Sequence, residues 1–414
     1  MPIDLCLARL VRRDWLIDGP LSGYLTSYIE SLKTRRYAQG TIGAYLRCLA
    51  HFSFWMTAEG LTIANIDLPL IERFIRHHLP ACTCPAPCRS DINEVRAALH
   101  HLQTLLPVVN DETASPLTLE IERFNGYLRD ICGLAPLTCS YRIQHVKAFL
   151  VGRFGNDAPE IGLLVSDDID AFLNELASTW SPTSRKLICT SLRSYLRFHA
   201  MLGDDTRILS AALPTIANWR RRHPPEVLSE VQLEQFLRAF DQTHPVELRD
   251  YVIARFLLDL GLRADEVAHL TLDCVDWRNG IVSLCHTKSQ RVQQLPLPTQ
   301  TGEALGRYLR LGRPQTTNRA LFSRHRAPFG VALSVDAIRN TMNRAFVRSG
   351  LADRFCNTHV LRRSMATRLQ KSGVSIKEIA DMLRHRDLNT ARAYARVDLE
   401  HLRAVAIPWP GSKS

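Results

Sequence analysis

Apolar residues recur at helical spacing through most of the chain. In YLTSYIESL, TIGAYLRCLAHFSFWM and NEVRAALHHLQTLL they return every three or four positions, with polar residues between. That period marks amphipathic helices that bury one face. A second series with the same rhythm follows: LEIERFNGYLRDI, CSYRIQHVKAFLVGRF, DIDAFLNEL and SRKLICTSLRSYLRFHAML. The two series align as a diverged repeat. With Thr41 placed on Thr138, Leu46 falls on Ile143, Leu49 on Val146 and Phe52 on Phe149. Each block then steps through an Ile-Asp pair, Ile66-Asp67 or Ile169-Asp170, into another helix. A repeat of this kind predicts two small helical domains in tandem, residues 1–112 and 113–215.

The rhythm breaks at RRRHPPEVLSEVQ. Pro224 and Pro225 stop a helix and favour extended chain. Ser229 with Gln232 three residues later is a capping box, so a new helix starts there and a third domain spans 224–414. In it, DYVIARFLLDLGLRADEVAHL reads as two helices broken at Gly261. GIVSLC and VQQLPL switch to strand character around HTKSQR, which predicts a β-hairpin with a basic tip. Helices resume at VDAIRNTMNRAFVRSG, HVLRRSMATRLQKSG and SIKEIADMLRH, the last opened by a second capping box, Ser375 with Glu378. The expected fold class is therefore mainly α, with a small β-hairpin or sheet in the last domain.

Composition adds a partner. The 414 residues carry a formal net charge of +11 and a pI of about 9.3, which points to a polyanion. No apolar run approaches the ~18 residues of a membrane span. Charged residues interrupt the N-terminal MPIDLCLARLVRRDW, which argues against a signal peptide, so a cytoplasmic location is expected. Most of the eleven cysteines stand singly in apolar surroundings and predict no disulfides. The exception is CTCPAPC, with Cys82, Cys84 and Cys88 just after His77 and His78. Three thiolates and a histidine suit zinc. The spacing is not that of a finger and prolines dominate the loop, so the favoured expectation is a reduced loop and no cofactor.

A polyanion that is cut without a metal makes definite demands. Attack on a phosphodiester loads charge onto its non-bridging oxygens, where forked arginines serve best. A nucleophile must reach phosphorus, and the leaving oxygen needs a proton. The last domain offers each part. Arg263 follows the Gly261 break, and His359 and Arg362 share a helix face at a spacing of three. Lys288 stands at the hairpin tip, and His385 precedes Tyr394 by nine residues (394 − 385 = 9). Singly, each of these is an ordinary core or surface residue; the ordered set is what carries the signal.

That set resembles the tyrosine recombinases, or phage integrase family, across roughly residues 224 to 400. The matching motifs are Gly261-Leu262-Arg263 with Glu266, Lys288 before Leu295-Pro296-Leu297, His359 to Arg362 followed by Ala366-Thr367, and Leu383 with His385 and Tyr394. Two positions depart from the family. Arg363 stands where histidine is frequent and Arg384 where glycine is frequent.

The resemblance implies a recombinase catalytic fold preceded by helical, SAM-like core-binding domains that clamp duplex DNA. It further implies that Tyr394 attacks the scissile phosphate to give a 3′-phosphotyrosyl link. Arg263 and Arg362 would hold the non-bridging oxygens, and Lys288 would protonate the leaving 5′ oxygen. His359 would serve as base or hydrogen-bond partner, His385 would support phosphate or tyrosine, and Glu266 would hold Arg263. Arg185, Lys186, Arg193, Arg197, Arg291 and Arg384 are the expected DNA contacts. The implied activity is strand exchange without ATP or metal, as the integrase of a bacterial mobile element, by a homo- or hetero-tetramer on two duplexes. A Xer-type resolvase, a type IB topoisomerase and a DNA-binding regulator that no longer cuts are the alternatives. Residues 113–215 are the expected core-binding, DNA-binding domain, and residues 1–112 an additional helical domain, either a further DNA-binding module or a protein-contact module.

Overall fold

The computed structural model describes residues 12–85, 91–106, 115–177, 180–216, 226–285 and 293–384. The first helical block contains α1 (Leu25–Thr34), α2 (Gln39–Ala58), α3 (Leu68–Arg73) and α4 (Ile92–Gln103). A π turn, Phe74–His78, continues α3. Asp67 caps α3 by accepting the Leu70 backbone N–H at 2.7 Å. α2 is buried on nearly every side, with Leu46, Leu49, Phe52 and Met56 at its heart. The second block repeats that order in α5 (Pro116–Gly126), α6 (Pro136–Phe154), α7 (Ser166–Ala177) and α8 (Pro182–Leu202), then adds α9 (Arg207–Ala212).

The repeat read from the sequence has a structural counterpart. A single 3₁₀ turn, Ile63–Asn65 or Ile161–Leu163, separates the second helix from the third in both blocks. The aligned pairs Leu49/Val146 and Phe52/Phe149 are buried in their respective cores. The second core also encloses a polar network. Glu120 Oε1 lies 2.8 Å from Nε2 of His199 and accepts from the Tyr195 hydroxyl at 3.1 Å, while Asp204 lies 2.7 Å from the other His199 nitrogen.

The third block has its own core. α10 (Glu230–Arg238) begins at the Ser229/Gln232 capping box, with both reciprocal bonds made. α11 (Pro245–Asp259) is apolar on most faces and runs through the middle; Val252, Ile253, Phe256 and Leu257 are fully buried. After the short α12 (Ala264–Ala268) come β1 (Val275–Asp276), β2 (Ile281–Leu284) and β3 (Gln293–Pro296). They form one antiparallel sheet in that order, with Val275 opposite Val282 and Val282 opposite Leu295 on the buried face. The expected hairpin is present, and β1 is an addition to it. α13 (Thr299–Arg307), α14 (Val335–Arg348), α15 (His359–Lys371) and α16 (Ile376–Met382) complete the described chain. The second predicted capping box opens α16, where the Glu378 backbone N–H donates to Ser375 Oγ at 3.2 Å.

Among the described residues, buried apolar side chains form four clusters, one in each of the first two helical blocks and two in the last, but the compact units number two. One comprises Met1–Pro107 with Pro224–Ser414, and the other is Val108–His223. The Pro224-Pro225 boundary lies outside the described residues. No disulfide joins any of the nine described cysteines. Among the described residues, no helix is long and apolar enough to cross a membrane.

Candidate active site

The site is built on Gly261. The α11 helix ends at Asp259, and the chain turns at Gly261 with φ +57° before α12 begins. A side chain here would be strained by that φ, and its Cβ would lie 2.8 Å from both Leu383 Cδ2 and Met365 Sδ. The close approach has a use. The Gly261 carbonyl accepts from two arginines far away in sequence, Arg362 on the first turn of α15 and Arg384 just after α16.

Arg263 is the N-cap of α12, and Glu266 occupies the third helical position. Glu266 reaches back to the Arg263 backbone N–H at 2.8 Å through Oε2 and to its guanidinium at 2.7 Å through Oε1. The same Oε2 accepts from Arg384 at 2.7 Å. The Glu266 and Arg384 side chains are 2% and 3% exposed, whereas Arg263 keeps 26%. Burial alone would raise the Glu266 pKa. Arg384, the Arg263 N–H and the charges of Arg263 and Arg362 outweigh it and hold the carboxyl below its usual range. Glu266 is therefore ionised and fixes Arg263 in place.

Arg362 is 4% exposed, and its guanidinium donates to the carbonyls of Gly261 and Leu383. It thereby ties the start of α12 to the end of α16. With Arg263 and Arg384 it makes three guanidiniums around one carboxylate, a local excess of 3 − 1 = +2 charges. Such a place favours an anion with several oxygens.

His359 opens α15, its backbone N–H donating to Asn357 Oδ1 at 3.0 Å. As a residue it faces solvent, but its ring is partly desolvated beside four arginines. Desolvation first, then the charges of Arg362, Arg363, Arg263 and Arg339, lower its pKa. It is neutral at pH 7 and available as a proton acceptor. In the DNA-free protein, proton NMR should therefore find His359 titrating below its ordinary value of about 6.5. A bound phosphate should shift that midpoint upward, because it offsets the cations that penalise the imidazolium. A midpoint at or above 6.5 in DNA-free protein would contradict this electrostatic picture.

The structure thus gathers Arg263, Glu266, His359 and Arg362 around the Gly261 turn. Lys288, Arg291, His385 and Tyr394 lie outside the described residues.

Two expected DNA contacts have a different placement. Arg384, read from the sequence as a contact to a neighbouring phosphate or as a space-filling residue, has its side chain buried against Glu266, with φ +55°. The frequent family glycine at this position explains the conformation: the chain needs a left-handed residue here, and the buried ion pair offsets the strain of using arginine. Arg384→Gly should relieve about 1 kcal/mol of that strain. It should also lose one side of a buried pair, typically about 3–5 kcal/mol. Since Arg263 still holds Glu266, we expect a net loss of about 2 kcal/mol in chemical denaturation. A variant as stable as the parent would refute the pairing.

Arg193 is the second case. It donates to the carbonyls of Leu213 and Pro214 at 2.8 and 2.9 Å, closing the end of α9 instead of facing outward. On the same helix, Lys186 and Arg197 are exposed, and Arg185 is partly buried.

The cysteine loop also departs from expectation. Cys82 and Cys84 converge with His78 and with His51, which the sequence reading passed over. His51 lies 27 residues before His78, on α2, and reads as one more member of a buried helix. His77 is exposed and outside this group, and Cys88 lies outside the described residues.

Comparison with known proteins gives this geometry its context. The family model for the phage integrase family matches residues 226–401. That for the phage integrase N-terminal SAM-like domain matches 25–106, which is the first helical block and not the second. A Sinorhizobium fredii protein named "Putative integrase/recombinase y4rA" is 29% identical over 95% of this chain and 96% of its own length. A second protein of that organism, y4gC, bears the same description and is 34% identical over 46% of this chain and 98% of its own. In fold, the chain is similar to the XerH site-specific recombinase bound to palindromic difH substrate. The TM-score there is 0.54 at 19% identity, covering 81% of this chain and 93% of the other. With the arginine cluster around Gly261 already in place, these likenesses show that the chain belongs to the phage integrase family of tyrosine recombinases, which are DNA strand-exchange enzymes.

Proposed function

We propose that this chain is a site-specific recombinase that integrates or moves a mobile element. The observation that carries the reading is the buried carboxylate Glu266 holding Arg263 beside Arg362, with neutral His359 on the same helix turn as Arg362. That arrangement fits the non-bridging oxygens of a phosphodiester, whose charge grows as it is attacked. Tyr394 attacks phosphorus, Lys288 protonates the departing 5′ oxygen, His359 accepts or orients the nucleophile's proton, and His385 supports the phosphate. The phosphotyrosyl link conserves the bond energy, so a second 5′ hydroxyl rejoins the strands without ATP or a catalytic metal.

The partner is double-stranded DNA, in keeping with a net charge of +11 and with the DNA-bound recombinase of similar fold. We assign residues 1–112 and 113–215 as helical modules and 224–414 as the catalytic domain. Lys186 and Arg197 are exposed on α8 and suit phosphate tracking. Four protomers, identical or mixed with related recombinases, hold two duplexes together in the bacterial cytoplasm, at the nucleoid. The near full-length likeness to y4rA favours the integrase reading over a Xer-type resolvase.

The test is a plasmid carrying the two ends of the host element. Recombinants joined at those ends, and none on a plasmid lacking them, are expected. Relaxation of both plasmids alike would instead indicate a topoisomerase, and site binding with no strand breakage would indicate a regulator.

A further inference from the structure

The first helical block brings four metal-binding atoms to one point. His51 Nε2 lies 3.2 Å from His78 Nε2 and 3.2 Å from Cys82 Sγ, and Cys84 Sγ lies 3.5 Å from His78 Nε2. All four atoms lie within 4.8 Å of one another. A tetrahedral zinc, with Zn–N of about 2.0–2.1 Å and Zn–S of about 2.3 Å, sets its ligand atoms roughly 3.3–3.8 Å apart. These three separations are close to those edges, and the remaining pairs lie within 4.8 Å.

The surroundings hold the donors in place. His51 is 1% exposed on α2. His78 ends the π turn after α3, its ring stacked on Phe74 at 5.2 Å, while the His51 ring meets the same phenylalanine edge-on at 5.4 Å. The Cys84 backbone N–H donates to Cys82 Sγ at 3.4 Å, a contact that favours a thiolate.

We propose that His51, His78, Cys82 and Cys84 form a structural zinc site that fastens α2 to the chain following α3. Two thiolates and two imidazoles select zinc over the hard cations magnesium and calcium. Four protein ligands leave no position open for water or substrate, so the ion fixes structure and takes no part in strand exchange. It holds together the block that matches the SAM-like family model. The proposal does not depend on the recombinase reading.

The experiment uses the full chain without a histidine tag, reduced, loaded with zinc and desalted. Elemental analysis should find one zinc per chain. Replacement by cobalt(II) should give visible ligand-field bands of a tetrahedral ion with a thiolate charge-transfer band. His51→Gln and the double variant Cys82→Ser/Cys84→Ser should each lose the metal, whereas Cys88→Ser should keep it. A parent chain that holds no zinc, or a cobalt form without the thiolate band, would overturn the site, and neither result requires a variant to fold. Retention by His51→Gln with loss by Cys88→Ser would overturn this ligand set.

Discussion

Tyr394→Phe should abolish covalent attachment to DNA while leaving affinity for the duplex within about twofold. Only a hydroxyl is removed, so the aromatic ring and the chain's charge are kept. What is lost is the oxygen that bonds to phosphorus, and no other residue of the assigned set offers a nucleophile. Gel-shift binding and a denaturing gel for the adduct, run on one preparation, separate the two effects. Cleavage of normal efficiency by the variant would remove Tyr394 from the mechanism. Loss of binding together with cleavage would mean that the tyrosine holds the fold.

The second large effect is expected at Arg362, and it has two components. Arg362→Ala should slow single-turnover cleavage by roughly 10²–10³-fold, the usual cost of removing a donor to transition-state charge. It should also destabilise the domain, because the carbonyls of Gly261 and Leu383 lose a buried partner. Each unsatisfied buried group costs about 1–3 kcal/mol. Arg263→Ala supplies the contrast. Its side chain is 26% exposed, and Arg384 would still pair with Glu266, so a similar rate loss should come with a smaller change in stability. Arg362→Lys should recover part of the stability but little of the rate, since an ammonium cannot present two parallel donors. If folded Arg362→Ala cleaves within threefold of the parent, the phosphate clamp is misassigned.

The residues that proved legible in the sequence are those whose role is tied to a local motif. The capping boxes at Ser229 and Ser375 formed as read because a cap needs only residues three apart. Gly261 stood out as a helix break, and Arg263 with Glu266 lies within one helical turn. The helices themselves were legible too, because helical periodicity records burial directly.

Arg384 and His51 were not legible, for a shared reason. A lone arginine is read as a surface cation, and a lone histidine on an apolar helix as a packed core residue. Arg384 is buried because Glu266, 118 residues earlier, provides the opposite charge. His51 acquires its meaning from Cys82, 31 residues later, on chain that turns back toward α2. Nothing local marks either partner. Arg193 follows the same logic, since the carbonyls that hold it belong to Leu213 and Pro214, 20 and 21 residues away. The SAM-like match falls on residues 25–106, the first of two blocks with one element order, and not on 113–215, the block the sequence reading takes as core-binding.

Covalent trapping asks most directly whether this cluster serves a tyrosine nucleophile. Nicked duplexes taken from the ends of the host element are incubated with the protein in EDTA, so that the short 5′ fragment diffuses away and religation stops. An adduct is expected without free divalent metal, with the nucleotide mapped by mass spectrometry to the tryptic peptide Ala393–Arg396 that contains Tyr394. No adduct despite tight binding to those ends, or an adduct mapped to another residue, would contradict it.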